Sequence, residues 1–190
     1  MTGRSDDVDS LPSAAEVGVF KPANAPKPRS PRVVLFLDID GVLNGHDYDE
    51  RAQSTTIWTQ QVARLNRVLE ATGCALVVSS AWRYMVLGGA MTLDGFGYML
   101  RTHGVRCPGH LVGTTGRDRD VGDPSERGRQ IKAWIDAYAP DDGFRYAVVD
   151  DMQLGFEGMP IVRTDGKRGL TDEDADQLIA LLSPAPGGSP

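Results

Sequence analysis

The sequence predicts an α/β fold, with a parallel sheet of about five strands and helices on both faces. Three observations lead there. Short apolar runs alternate along the chain with segments of helical periodicity. The runs are continuous, as in strands covered on both sides. Three of them stop at carboxylates or hydroxyls, so that polar side chains gather at one edge of the sheet.

The first run, Val33-Val34-Leu35-Phe36-Leu37, lies between Pro31 and Gly41 and leads into Asp38 and Asp40. Residues two apart on an extended chain point the same way, so the two carboxylates are expected to address one small volume beyond the strand. Unpaired, they would repel, and the pKa of at least one would rise. A divalent cation removes that conflict, and hard oxygen donors suit Mg²⁺. A calcium loop fits less well, because Val42 stands at the next alternate position and no glutamate occupies the twelfth. The plain alternative is a solvated turn capped by aspartates.

After the polar segment from Gly45 to Thr55, the residues Ile57, Trp58, Val62, Leu65 and Leu69 fall near helical spacing, and Thr72-Gly73 stops the helix. Ala75-Leu76-Val77-Val78-Ser79-Ser80-Ala81-Trp82-Arg83 reads as a second short buried strand ending in hydroxyls. The helix between the two strands makes them parallel neighbours with their ends at one edge. Leu93 to His103 reads as a helix stopped by Gly104, and His110 to Thr114 as a third strand. Asp123-Pro124-Ser125-Glu126 is a helix start with a cap, a first-turn proline and an acid; Ile131, Trp134, Ile135 and Tyr138 form the apolar face that follows. Phe144 to Val149 is the fourth strand, entering Asp150-Asp151, and Met159 to Val162 suggests a fifth. Thr171-Asp172-Glu173-Asp174 caps a last helix with Ala175, Leu178, Ile179 and Leu182 on its face.

Composition places these elements in one domain. With 190 residues, 41% of them hydrophobic, the chain is long enough for a single well-buried core. The expected division is a Pro/Ala-rich disordered tail over 1–31, a folded domain over 32–183 and a short tail over 184–190. The net charge of -6 argues against a broad basic surface for duplex nucleic acid, and the first tail is neutral, so the folded domain carries the excess. Two cysteines, Cys74 and Cys107, cannot make a disulfide framework, which fits a reducing cytoplasm. Neither a membrane-spanning run nor the apolar core of a signal peptide is evident. No membrane and no stable protein partner is expected.

The segment Leu37-Asp38-Ile39-Asp40-Gly41-Val42-Leu43-Asn44 resembles motif I of the haloacid dehalogenase-like (HAD) phosphohydrolases, and the resemblance extends from about Val33 to Leu182. It implies a three-layer HAD-like Rossmannoid sheet. It also implies that Asp38 is a nucleophile taking the phosphoryl group and that Asp40 is a general acid which then activates water. Ser79 matches the hydroxyl of motif II, with Ser80 one residue away as the alternative. Motif III is a basic residue near the start of the helix before the fourth strand; Arg127 matches by position and Lys132 by residue type, with Arg129 a third choice. Asp150 and Asp151 match motif IV. The implied Mg²⁺ site draws on Asp38, Asp40, Asp150 and Asp151, with Asp150 preferred over Asp151 as the direct ligand.

Ser79-Ser80-x-Trp82-Arg83, Arg127-Gly128-x-x-Ile131-x-x-Trp134 and Gly169-Leu170-Thr171 are similar to the small HAD domains associated with Swiss Army Knife RNA-repair proteins. Neither interval between motifs is long enough for a cap domain, so the site is expected to be open. The function expected is an Mg²⁺-dependent phosphatase acting on a phosphorylated small molecule or a nucleic-acid end. A phospho-ligand binding module without turnover, or a phosphotransferase, is the alternative. Arg83, Arg117 and Arg119 are the expected substrate contacts with Ser80, because forked guanidinium donors suit phosphate oxygens; pairing of Arg117 and Arg119 with Asp118, Asp120 and Asp123 is the plainer reading of that loop.

Overall fold

Five parallel strands form one sheet: β1 (Val33–Leu37), β2 (Ala75–Val78), β3 (Leu111–Thr114), β4 (Arg145–Asp150) and β5 (Ile161–Arg163), in the order β3-β2-β1-β4-β5. The chain steps outward from β1 to β3 and then returns to the far side of β1. Such a reversal opens a crevice at the C-terminal ends of the two strands where it occurs, here β1 and β4. The computed structural model describes residues 31–45, 56–106, 111–116, 126–140 and 142–184. The N-terminal tail short of Pro31, Cys107, His110, Arg117, Arg119, the Asp123-Pro124-Ser125 helix start and the tail from residue 185 lie outside them.

Strand alternation sorts the sheet into two cores. Leu35, Leu37, Leu76, Val78, Ala147 and Val149 point into the larger one, with α1 (Thr59–Thr72), α3 (Leu93–Thr102) and α5 (Asp172–Leu182) packed on it. Val34, Phe36, Val77 and Val148 point the other way, onto Ile131 and Trp134 of α4 (Glu126–Tyr138). Tyr138, expected on the apolar face of α4, is 56% exposed and leans on Trp134, with ring centroids 5.2 Å apart. The start of α5 has the expected capping box, Thr171 and Asp174 each accepting from the other's backbone.

Several boundaries move. β4 takes in Asp150, and β5 begins two residues later than the apolar run suggests. β2 stops at Val78, and after Ser79-Ser80 the chain makes a 3₁₀ turn, Ala81–Arg83, and the single turn α2 (Tyr84–Leu87), both too short to show as periodicity. Among the described residues, no additional folded unit stands in either interval where a cap would be, and no helix is long and apolar enough to cross a membrane.

Candidate active site at the β1–β4 crevice

Extended geometry ends at Leu37, and this separates the two motif I carboxylates. Asp38 is still held to β4, its N–H donating to the Val149 carbonyl at 3.0 Å. The chain then folds on itself: the N–H groups of Val42 and Leu43 both donate to the Ile39 carbonyl, and Gly41 takes a φ of 74°. Asp38 therefore turns inward and Asp40 does not follow it, contrary to the shared volume expected of an extended Asp-x-Asp. The Asp40 carboxylate instead accepts from Asn44 Nδ2 on Oδ1 and from Trp82 Nε1 on Oδ2, each at 2.9 Å.

The register pairs Leu37 with Val78 and with Val149, so Ser79, Asp38 and Asp150 stand next to one another as a row across three strand ends. Their parity puts them on the α4 side of the sheet. Asp38 is 3% exposed and Asp150 fully buried. Oxygens of Asp38, Asp150 and Asp151 lie within 4.8 Å of one another, a set that can hold a metal ion and that does not include Asp40. Gly41 makes room for the third acid. A Cβ there would come within 2.5 Å of the Asp151 carboxylate, a distance no side chain tolerates.

Arg127, in the first turn of α4, reaches into this set. Its Nη1 donates to Asp38 Oδ2 at 2.6 Å and to Asp150 Oδ2 at 2.5 Å. Gly128 lets the helix come this close, since a Cβ there would lie 1.8 Å from the Gly155 carbonyl oxygen in the loop after β4. Lys132 is exposed further along the same helix, and Arg129 is exposed too.

Burial raises the pKa of Asp38, although Arg127 and the Ile39 N–H pull it down. For Asp150, burial and the neighbouring Asp38 together outweigh Arg127 and push the pKa up to about 7. Burial opposes the charge on Arg127, but the two carboxylates hold it protonated all the more firmly. One guanidinium cannot neutralise three ionised carboxylates. With all three ionised, two negative charges would remain, and on this all-oxygen donor set a small divalent cation would offset them, with Asp38, Asp150 and Asp151 the ligands available.

The two serines behave differently. Ser80 Oγ accepts from the Trp82 backbone N–H at 3.4 Å, while Ser79 Oγ, fully buried in the row beside Asp38, has no hydrogen-bond partner among the described residues. Thr115, next across at the end of β3 and likewise buried, has a second hydroxyl without one. Arg83 is not open to a ligand. It is 3% exposed, its Nη1 donates to the Ser79 and Ser80 carbonyls at 2.7 and 2.8 Å, and its Nη2 donates to Gln130 Oε1 at 2.6 Å. The expected substrate contact is thus a clamp between the end of β2 and α4, because five donors on one planar group can meet several acceptors at once. A cleft of about 530 Å³ lined by Thr114, Gly116, Arg129, Gln130 and Trp134 shares Gln130 with this clamp, and its lining includes none of the acids.

Sequence reasoning gave no role to Asn44, Trp82, Glu126 or Gln130. Trp82 carried one available signal, an aromatic placed just after a strand end among hydroxyls. Residues 34–175 match a family model described as the HAD domain in Swiss Army Knife RNA repair proteins. No curated protein and no solved structure matches the chain.

Proposed function

From a chain that belongs to the family of HAD domains found in Swiss Army Knife RNA repair proteins, we propose an Mg²⁺-dependent phosphohydrolase that works through an aspartyl phosphate on Asp38. The observation that carries this reading is the buried Asp38 carboxylate at the β1 end, bonded to Arg127 and within 4.8 Å of Asp150 and Asp151 oxygens.

In the first step an Asp38 oxygen forms a bond to phosphorus while the bond to the leaving oxygen breaks, and Asp40 gives its proton to that oxygen. In the second step Asp40 takes a proton from water as the water oxygen attacks phosphorus, releasing Asp38 and inorganic phosphate. Arg127 spreads positive charge over the phosphoryl oxygens and the nucleophile, and the hydroxyls of Ser79 and Ser80 donate to those oxygens. Asp38, Asp150 and Asp151 would hold the Mg²⁺, which supplies charge neutralisation for a dianionic substrate.

The substrate we propose is a phosphate monoester at a nucleic-acid end or on a nucleotide. What supports it is the edge of a sheet with no cap unit among the described residues, together with the arginines of the segment after β3, Arg117 and Arg119, which lie outside them. The test is phosphate release with Mg²⁺ from 5′- and 3′-phosphorylated oligonucleotides, matching mononucleotides and small phosphorylated metabolites. Faster release from oligonucleotide ends, weakening as salt rises, is the expected result. Equal rates whatever the chain length and salt would remove nucleic acid from the reading, and binding without turnover would leave a phospho-ligand module.

A further inference from the structure

We propose that Trp82 is a positioning residue for Asp40, its indole N–H holding the carboxylate in the orientation from which it exchanges protons with the leaving oxygen and with water. The inference rests on the reading of Asp40 as acid and base given above. Each carboxylate oxygen of Asp40 carries one N–H donor, and the donors come from separate turns, Asn44 from the one after β1 and Trp82 from the one after β2. A carboxylate has roughly four acceptor positions. Two are used here, which fixes the plane of the group and leaves a lone pair on each oxygen for the proton in flight.

Neither donor can be replaced by rotation. The indole can only donate, and the Asn44 amide is fixed in sense because its Oδ1 accepts from the Gly41 N–H at 3.0 Å. Trp82 is itself anchored: its ring is half-buried against the larger core, and its backbone N–H donates to Ser80 Oγ at 3.4 Å. Such placement matters because proton transfer in the transition state needs heavy atoms within about 3 Å, and a shift of about 1 Å can cost about a hundredfold.

The experiment compares wild type with Trp82→Phe, which keeps the packing and removes the N–H, on two monoesters: p-nitrophenyl phosphate, whose leaving oxygen needs little protonation, and an alkyl phosphate, whose leaving oxygen needs it fully. The expected result is a fall in kcat on the alkyl ester at least about tenfold larger than that on the aryl ester, with KM little changed. Equal losses on both esters, or a rise in KM alone, would overturn the proposal. In parallel, the indole N–H resonance of Trp82, identified by its loss in Trp82→Phe, is followed in Asp40→Ala. A clear displacement is expected, and an unmoved resonance would overturn the contact whatever the turnover. If wild type releases no phosphate from any ester, the phosphohydrolase reading fails, and the resonance still decides whether Trp82 holds Asp40.

Discussion

The two faces of the sheet are held by different physics. On the α1, α3 and α5 side, long apolar residues interdigitate over the whole area, and the polar contacts are peripheral, such as Arg64 and Arg67 on α1 reaching Asp172 and Asp176 on α5. On the other side, α4 covers a small core together with Phe156 and Met159 from the segment after β4, and its first turns are fastened by Arg127, by Gln130 and by Glu126, which accepts from Gln130 Nε2 at 2.6 Å and from the Tyr84 hydroxyl at 3.3 Å. The difference assigns two tasks. One face supplies stability through burial; the other gives up some of it to hold charges out of water where chemistry needs them.

Substitutions at the acid cluster should therefore separate activity from stability most sharply. Asp38→Asn is expected to lower turnover by several powers of ten, because no acyl phosphate can form, while thermal unfolding stays close to wild type. Substantial activity in the folded variant would remove Asp38 from the nucleophile's role. The opposite pattern is expected on the other face. Leu178→Ala, in the middle of α5 and fully buried, should cost about 3 kcal/mol in chemical denaturation and leave kcat of the remaining folded protein nearly unchanged.

Gly128→Ala tests the boundary between the two tasks. Its methyl cannot coexist with the Gly155 carbonyl, so α4 must shift outward, costing about 2 kcal/mol and drawing Arg127 off both aspartates. Loss of activity beyond the unfolded fraction is the expected outcome, and a variant as active as wild type would show that the helix position is not critical.

The pH dependence follows from Asp38 and Asp150. Both carboxyls are raised in the fold, so the folded chain keeps protons that the unfolded chain has already released. Their contribution to stability is fully present below the ordinary carboxylate value near 3.8 and is lost as pH rises through the raised values, about 7 for Asp150. With a chelator present, the melting temperature should carry this loss; Mg²⁺ should diminish it, and Asp150→Asn should diminish it without metal. A metal-independent pH profile would argue against the divalent site. The smallest effect belongs to the cap of α5, far from the acids: Thr171→Ala should cost about 1 kcal/mol with no change in kcat.

Legibility in the sequence divides along the same line. The apolar face follows from periodicity alone, since Leu65, Leu69, Leu178 and Leu182 announce their helices locally. Asp38 and Asp150 were also readable, because each stands at the end of a continuous apolar run. What sequence could not show lies where regular geometry stops or where partners are distant. The separation of Asp40 from Asp38 depends on a turn beginning one residue past the strand, and the choice between Ser79 and Ser80 on a side-chain direction after β2 has ended. Arg83 looks like any exposed arginine beside a strand end, since its partner Gln130 is 47 residues away. The irregular register of β3 against β2, between Leu76 and Val77, likewise leaves no local trace.

The buried guanidinium of Arg83 bears on the order in which the molecule comes apart. Its partners belong to the end of β2, to α4 and, through the Gly116 carbonyl, to the segment after β3, so none of them can lose water around that charge until all are in place. Detaching α4 alone would strand a cation against the carbonyls of Ser79 and Ser80, and the end of β2 would open with it. The slow-exchanging amides of α4 and of Ser79 to Tyr84 should therefore exchange as one cooperative unit, below the threshold at which α1 and α5 release theirs. In that unit the reacting groups would assemble and disassemble together, so a partly open molecule would carry no half-formed site.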